Sequence, residues 1–395
     1  MAAFEPPGDC PVCGEFVPAG RKSCPECGAD ERSGWSEETQ GDALDLPGED
    51  FNYREFVKEE FGGGGRRTRP SLLWWLVGLG LVPRSSGFWS SAPKMSRLAF
   101  LIFIFAAFAA RASEQLTLNV GGLERTCALH IPAGLDPQTP APLVLVLHGG
   151  GGHGTQMENF THFSALADRE NFIAAYPDGI GHSWNDGRDN ARSQAALKHV
   201  DDLAFFDALI AAIGQRHPLD PRRIYATGIS NGGFMSFTLA ARRAKVFAAV
   251  APVSGGIGDA VAANFSPAEP VSLLIIQGTA DPLVPYAGGE VMRDRGHFIS
   301  TDNSIRLWLK ADGCPPVPVR TAPPDRDPFD GCRVTVLTWT NPGNHATVCL
   351  YRIEGGGHTW PGGLQYLPRI VIGRVCRDFD ATETIWAFFK THPKP

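Results

Sequence analysis

The sequence predicts an α/β domain over residues 113–395, with a mostly parallel sheet and helices on both faces. Three observations carry that expectation. Continuous apolar runs such as Pro142-Leu143-Val144-Leu145-Val146-Leu147 and Leu273-Leu274-Ile275-Ile276 read as strands buried on both faces. Helix-period stretches alternate with them, and glycine-rich turns follow the strands near residues 149, 232 and 356. The chain is 43% hydrophobic and 20% charged, enough apolar material for a large core. Its net charge of −6 offers no concentrated basic face, which excludes nucleic acid as the main partner.

The elements follow in order. Phe172 to Pro177 is a second strand, and Leu203, Phe206, Ile210 and Ile213 mark a helix face behind Asp201 and Asp202. Further strands are expected at Arg223 to Gly228, Phe247 to Val253, Ser272 to Gln277 and Val348 to Ile353. Asp380 can cap a last helix through Thr384, Ile385, Trp386 and Phe389, and Pro393 forbids its continuation.

Upstream, the pattern differs. Cys10-Pro-Val-Cys13 and Cys24-Pro-Glu-Cys27 have the spacing of a four-thiolate zinc ribbon, in which two paired knuckles bring four sulfurs into tetrahedral reach. Residues 1–35 are therefore expected to be a small zinc ribbon, and residues 36–94 an acidic linker ending in a short apolar segment. Leu98 to Ala110 follows Lys94 and Arg97 and closes on Ala110-Arg111-Ala112. A basic region, a short apolar run and an A-x-A site describe a secretory signal, so residues 95–112 are expected to be cleaved after Ala112, giving a secreted or periplasmic enzyme. The rival for this run is a buried helix or a membrane anchor. A zinc ribbon ahead of an export signal is incongruous: either two coding units are joined and the working protein starts at Met95, the preferred reading, or a true fusion tethers the enzyme to a membrane.

The chemistry is carried by Gly228-Ile229-Ser230-Asn231-Gly232-Gly233, set between an apolar strand and the helix-like run Phe234 to Arg243. A strand-turn-helix elbow holds a serine in a strained, exposed position, and the glycines make room for it. A serine hydroxyl needs a general base that is itself oriented by an acid. Asp281 lies in the turn after the strand Leu273 to Gln277, with Asp302 and Asp380 as fallbacks. His358, in Gly355-Gly356-Gly357-His358-Thr359-Trp360, is the base candidate. Leu147-His148-Gly149-Gly150-Gly151-Gly152 follows the first buried strand, where backbone amides can meet a developing oxyanion. The expected donors are the amides of Asn231 and Gly150, with Gly151 as the alternative. A phosphate-cradling role fails for lack of a Gly-Lys-Ser/Thr ending or a G-x-G-x-x-G in a dinucleotide fold.

Together, LHGGGG at 147–152, YPDG at 176–179 with Trp184-Asn185, VDD at 200–202, GISNGG at 228–233, GTAD at 278–281 with Pro285-Tyr286, and EGGGHTWPGG at 354–363 resemble the secreted polyhydroxybutyrate depolymerase and feruloyl esterase group of α/β-hydrolases, the LpqC-like or carbohydrate esterase family 1 type. The resemblance covers roughly residues 114–395. It implies an α/β-hydrolase fold, Ser230 as nucleophile, Asp281 as orienting acid, His358 as base, and ester cleavage with no metal or organic cofactor. Zinc would belong only to the ribbon. The implied substrates are feruloyl or acetyl esters of plant polysaccharide, or hydroxyalkanoate oligomers. Trp360, Trp184 and His148 are the expected substrate contacts, the two indoles as an aromatic wall. The first 70 residues resemble small bacterial zinc-ribbon proteins with a trailing membrane segment.

Export would place Cys127, Cys314, Cys332, Cys349 and Cys376 in an oxidising compartment, which predicts one or two disulfides, a pair among Cys314, Cys332 and Cys349 first, with the connectivity open. Two rival functions share the serine motif: a prolyl-oligopeptidase-like peptidase, and a non-catalytic carbohydrate-binding relative that keeps the fold. The absence of internal repeats argues against the first, and the complete set of three candidate residues against the second.

Overall fold

The structure is a computed structural model that describes residues 7–9, 16–22, 113–292 and 294–395. The four ribbon cysteines Cys10, Cys13, Cys24 and Cys27, and the segments 36–94 and 95–112, lie outside the described residues. From the amino-terminal part, β1 (Gly8–Asp9) and β2 (Phe16–Val17) pair antiparallel, Gly8 against Val17 and Asp9 against Phe16.

Residues 113–395 build a ten-stranded sheet. A hairpin of β3 (Glu114–Val120) and β4 (Leu123–His130) leads to β5 (Ala141–Leu147), every residue of which is buried. The other strands are β6 (Ile173–Pro177), β7 (Leu219–Ile229), β8 (Ala249–Val253), β9 (Ser272–Gly278), β12 (Val319–Thr321), β13 (Arg333–Thr340) and β14 (Thr347–Glu354). A separate two-residue ribbon joins β10 (Gly289–Glu290) and β11 (His297–Phe298). In space the order is β12-β13-β14-β9-β8-β7-β5-β6-β4-β3. The stretch from β14 to β6 is parallel throughout, and the strands beyond it on both sides are antiparallel.

Alternation along the strands divides the interior into two cores. Leu143, Leu145 and Leu147 of β5 face one core. There they meet α4 (Asp202–Arg216), α5 (Asn231–Arg242) and α7 (Thr301–Asp312) through Phe205, Phe206, Met235, Phe237, Ile305 and Trp308. Val144 and Val146 face the other, closed by α1 (Gly154–Thr161), α2 (Phe163–Glu170) and α9 (Ala381–Thr391) through Met157, Phe163, Leu166, Ile385 and Phe389. The short helices α3 (Gln194–Leu197), α6 (Asp259–Ala263) and α8 (Arg369–Ile372) sit in connections. Helices thus cover both faces, as a parallel sheet requires.

Two details sharpen the sequence expectation. The predicted strand at 223–228 extends back to Leu219, and the buried face of α4 is Phe205, Phe206, Leu209 and Ile213, with Leu203 and Ile210 only half covered. The helix is rotated because Asp202 turns inward, where its Oδ1 accepts from Arg125 Nη2 at 2.7 Å and its Oδ2 from Asn185 N at 2.7 Å. Asp380 does cap α9, accepting from Glu383 N at 3.0 Å. Among the described residues, no helix is long and apolar enough to cross a membrane.

Candidate active site

Sheet order decides where a site can form. The chain leaves β5 toward β6 on one side and β7 on the other, and such a reversal opens a crevice outside the carboxyl ends of the strands. The loop 148–153 follows β5 there, and Ser230 follows β7. Ser230 has φ 56 and ψ −120, a conformation costing about 1–3 kcal/mol that persists only where its surroundings over-determine it. Here Ser230 N donates to Val253 O at 3.0 Å, and Phe234 N donates to Ser230 O at 2.9 Å. Two glycines permit the elbow by close approach. A Cβ at Gly228 would stand 2.6 Å from Leu147 O, and one at Gly232 would stand 2.4 Å from the same atom.

The acid and the base arrive at the same edge. Strands β7, β8, β9 and β14 are successive parallel neighbours, so the turns after β7, β9 and β14 emerge together. Asp281 lies after β9 and His358 after β14, both buried. His358 Nδ1 lies 2.8 Å from Asp281 Oδ2. The other carboxylate oxygen, Oδ1, accepts from Leu283 N at 2.9 Å and Val284 N at 2.8 Å, so the aspartate is fixed by its own turn while it holds the imidazole. The loop around His358 is strapped down: His358 N donates to Ile372 O, Gly357 N to Arg374 O, and Tyr366 Oη to His358 O. The fallback acids are committed elsewhere, Asp302 to the Tyr286 hydroxyl at 2.9 Å and Asp380 to its helix cap. A carboxylate on Nδ1 fixes the tautomer and leaves Nε2 as the basic nitrogen, the chemistry needed to deprotonate a hydroxyl.

Amides line the other side. Asn231 opens α5, so its N–H has no partner within the helix. The 148–150 loop runs against the elbow: a Cβ at Gly149 would lie 3.5 Å from Ser230 Cβ, and one at Gly150 would lie 3.9 Å from Asn231 Cβ. Gly151 N donates to His182 O at 2.8 Å, which commits the alternative donor to the fold.

The expected substrate contacts His148, Trp184 and Trp360 are all buried, and each has partners within the fold. His148 Nε2 accepts from Gly179 N at 2.9 Å and Nδ1 donates to Gly149 O at 2.7 Å. Burial pushes its pKa down to about 4, so the ring is a neutral brace for the loop. Trp184 Nε1 donates to His148 O at 3.0 Å and its ring packs on Phe206. Trp360 packs edge-on against Phe160 and Phe163 and donates from Nε1 to Thr382 Oγ1 at 3.1 Å. Large rings beside glycine loops gain more by filling the space beneath them than by facing water.

The disulfide expectation also fails. Cys127, Cys314, Cys332, Cys349 and Cys376 are free thiols. Cys314 Sγ faces Ala346 O at 3.6 Å and Cys349 Sγ faces Thr338 Oγ1 at 3.6 Å, so those two are spent on different neighbours. Cys332 instead lies near Cys376 and Asp330, their ligand atoms all within 4.8 Å of one another. That trio is the one group among the described residues with metal-ligating atoms so close, but both Asp330 oxygens accept backbone amides, Cys332 N and Arg377 N, each at 2.7 Å, which makes it a staple between two segments.

Sequence reasoning missed Asp186 and Arg188. Both are buried beside the elbow, with Arg188 Nη2 2.6 Å and Nε 2.9 Å from Asp186 Oδ2, and Asn231 Nδ2 donates to that same oxygen at 2.6 Å. Only the neighbouring Trp184-Asn185 pair marked the place, and no spacing rule singles out Asp186 or Arg188.

With this geometry in hand, kinship decides the class. A model of the family described as esterase PHB depolymerase matches residues 125–272. The putative esterase NocK of Nocardia uniformis subsp. tsuyamanensis is 32% identical over 279 residues, which cover 67% of this chain and 79% of that protein. The chain belongs to the esterase PHB depolymerase family. Two further relatives of this PHB depolymerase-type esterase are feruloyl esterases. Feruloyl esterase B of Piromyces equi is 30% identical over 244 residues, 59% of this chain and 42% of that protein, so the chain spans less than half of it. Feruloyl esterase C of Emericella nidulans is 28% identical over 264 residues, 63% of this chain and 88% of that protein. The PHB depolymerase-type chain is a carboxylic ester hydrolase with an α/β-hydrolase fold, a class that needs no cofactor for catalysis.

Proposed function

We propose that the chain is a serine carboxylesterase working through an acyl-enzyme, with Ser230 as nucleophile, His358 as general base and acid, and Asp281 as the carboxylate that orients His358. The observation that carries this reading is the His358 Nδ1 to Asp281 Oδ2 contact of 2.8 Å on the sheet edge where the strained Ser230 emerges. In the reaction, His358 Nε2 takes the Ser230 proton as Oγ attacks the ester carbonyl. The amides of Asn231 and Gly150 receive the oxyanion. The tetrahedral adduct collapses, the alcohol leaves with the proton from His358, and water, deprotonated by the same imidazole, releases the acid and restores Ser230.

The substrate class is polysaccharide-linked acyl groups, feruloyl or acetyl, with short hydroxyalkanoate esters as the second choice. The names of the feruloyl esterase relatives support the first. The enzyme acts outside the cytoplasm, as residues 113–395 released after Ala112, and a zinc-loaded ribbon accompanies it only if translation begins upstream of Met95. Assays on methyl ferulate, acetylated xylan, hydroxybutyrate oligomers and a peptide amide test the class. Turnover of one of the esters with none of the amide is the result expected. Preferred cleavage of the peptide would overturn it. An amino terminus at Ser113 in protein from the native host supports export, and one at Met1 refutes it.

A further inference from the structure

The loop after β6 clamps the first two turns of α5. Trp184 N donates to Asn231 Oδ1 at 2.8 Å, while Asn231 Nδ2 donates to Trp184 O at 3.1 Å and to Asp186 Oδ2 at 2.6 Å. The Asn231 amide group is therefore held at both its oxygen and its nitrogen. Thr238 Oγ1 adds a bond to Asp186 O at 2.8 Å, two turns along the helix. Asp186 and Arg188 have side chains 2% and 3% exposed, and the guanidinium also lies 3.9 Å over the Phe234 ring, one turn into α5. A buried ion pair is costly to desolvate and rarely earns its place through stability alone.

We infer that Asp186, with its charge balanced by Arg188, is a positioning residue for ester cleavage: it fixes the Asn231 side chain and through it the direction of the Asn231 backbone N–H. This rests on the reading of that N–H as an oxyanion donor. An oxyanion donor acts only if it is aimed at the point where charge develops, and a backbone amide can be aimed only by holding its residue. The Asn231 side chain supplies the handle, and a carboxylate grips it more strongly than a neutral acceptor would. The grip has an electrostatic side effect. A bare carboxylate one side chain away from the oxyanion would repel it, and the guanidinium bound to both carboxylate oxygens cancels that field. Arg188 is then needed only because Asp186 is charged.

The test uses the full chain, with rates expressed per site titrated by a fluorophosphonate so that misfolded protein does not count. The neutral swap Asp186→Asn with Arg188→Gln leaves no buried charge unpaired. It is expected to lower kcat by roughly 10-fold or more while KM stays within about two-fold. Placed on Asn231→Ala, the same swap is expected to cost less than about two-fold further, since the handle is already gone. Arg188→Gln alone, which leaves the carboxylate uncancelled, is expected to be slower than the double swap. A neutral swap with wild-type kcat, or one whose cost is unchanged on Asn231→Ala, overturns the inference. Ser230→Ala, which has no serine to titrate and is therefore compared per mole of protein, separates the two ideas. If it retains activity, the reading of the site falls and takes this inference with it; if it is inactive while the neutral swap is fully active, only the positioning role falls.

Discussion

His358 Nδ1 and Asp281 Oδ2 lie 2.8 Å apart, and both side chains are almost wholly shielded from water. Shielding strengthens the contact and removes the solvent that could substitute for the carboxylate. Asp281→Asn keeps the shape but offers an N–H or a weaker acceptor to Nδ1 and favours the wrong tautomer. A fall in kcat of roughly 10³–10⁴-fold with little change in KM is expected in steady-state ester hydrolysis. A rate within ten-fold of wild type would move the orienting role to another carboxylate.

His148 gives the fold a pH dependence of one sign. Its pKa is about 4 in the folded chain against 6.5 for an exposed imidazole, because burial disfavours the cation. The unfolded chain takes up the proton first, so the stability this residue supplies is complete above pH 6.5 and is lost as pH falls toward 4. The full loss is about 3 kcal/mol. Thermal unfolding between pH 7 and pH 4 should therefore show a steeper fall in Tm for wild type than for His148→Gln, even though the variant starts lower.

Asp312 has the opposite sign. It ends α7, its Oδ1 accepts from Val271 N at 3.2 Å, and its Oδ2 makes no hydrogen bond. Burial pushes its pKa up to about 7, so its contribution is fully present below the ordinary value of 3.8 and is lost as pH rises through 7. Asparagine mimics the protonated acid. Asp312→Asn should match wild type near pH 4 and be more stable at pH 8, by at most about 4 kcal/mol. Equal Tm values at both pH values would show that the carboxylate is ionised in the folded chain at no cost.

Trp360 belongs to the packing beneath the catalytic loop, so its replacement should register in stability and not in substrate affinity. Trp360→Phe removes the bond to Thr382 Oγ1 and part of the contact with Phe160 and Phe163. A loss of about 1–3 kcal/mol in denaturant unfolding is expected, with KM for methyl ferulate unchanged within about two-fold. A ten-fold rise in KM would return the indole to the substrate cleft.

The readability of this chain follows from where each residue's constraint lies. The places of Ser230, Asp281 and His358 at one end of the sheet were legible because each sits in a turn marked by glycines or Asx geometry, within four residues of the end of an apolar strand. The parallel core was legible for the same reason: β5 is apolar at every position because both of its faces are covered. The burial of Trp184, Trp360 and His148 was not legible, because adjacency to a glycine-rich loop does not reveal on which side of the backbone a ring lies. Asp186 and Arg188 were invisible because their partner, Asn231, is 45 residues from Asp186 in sequence and only the tertiary fold unites them. The thiols show the same limit: Cys332 meets Cys376 rather than its nearer neighbours in sequence.

The most direct test of the central claim is covalent. Full-length protein treated with a fluorophosphonate and mapped by peptide mass spectrometry should carry one adduct, on the peptide containing Ser230, with ester hydrolysis lost in proportion to labelling and with neither label nor activity in Ser230→Ala. An adduct on any other residue, or a Ser230→Ala variant that hydrolyses esters at the wild-type rate, would contradict it.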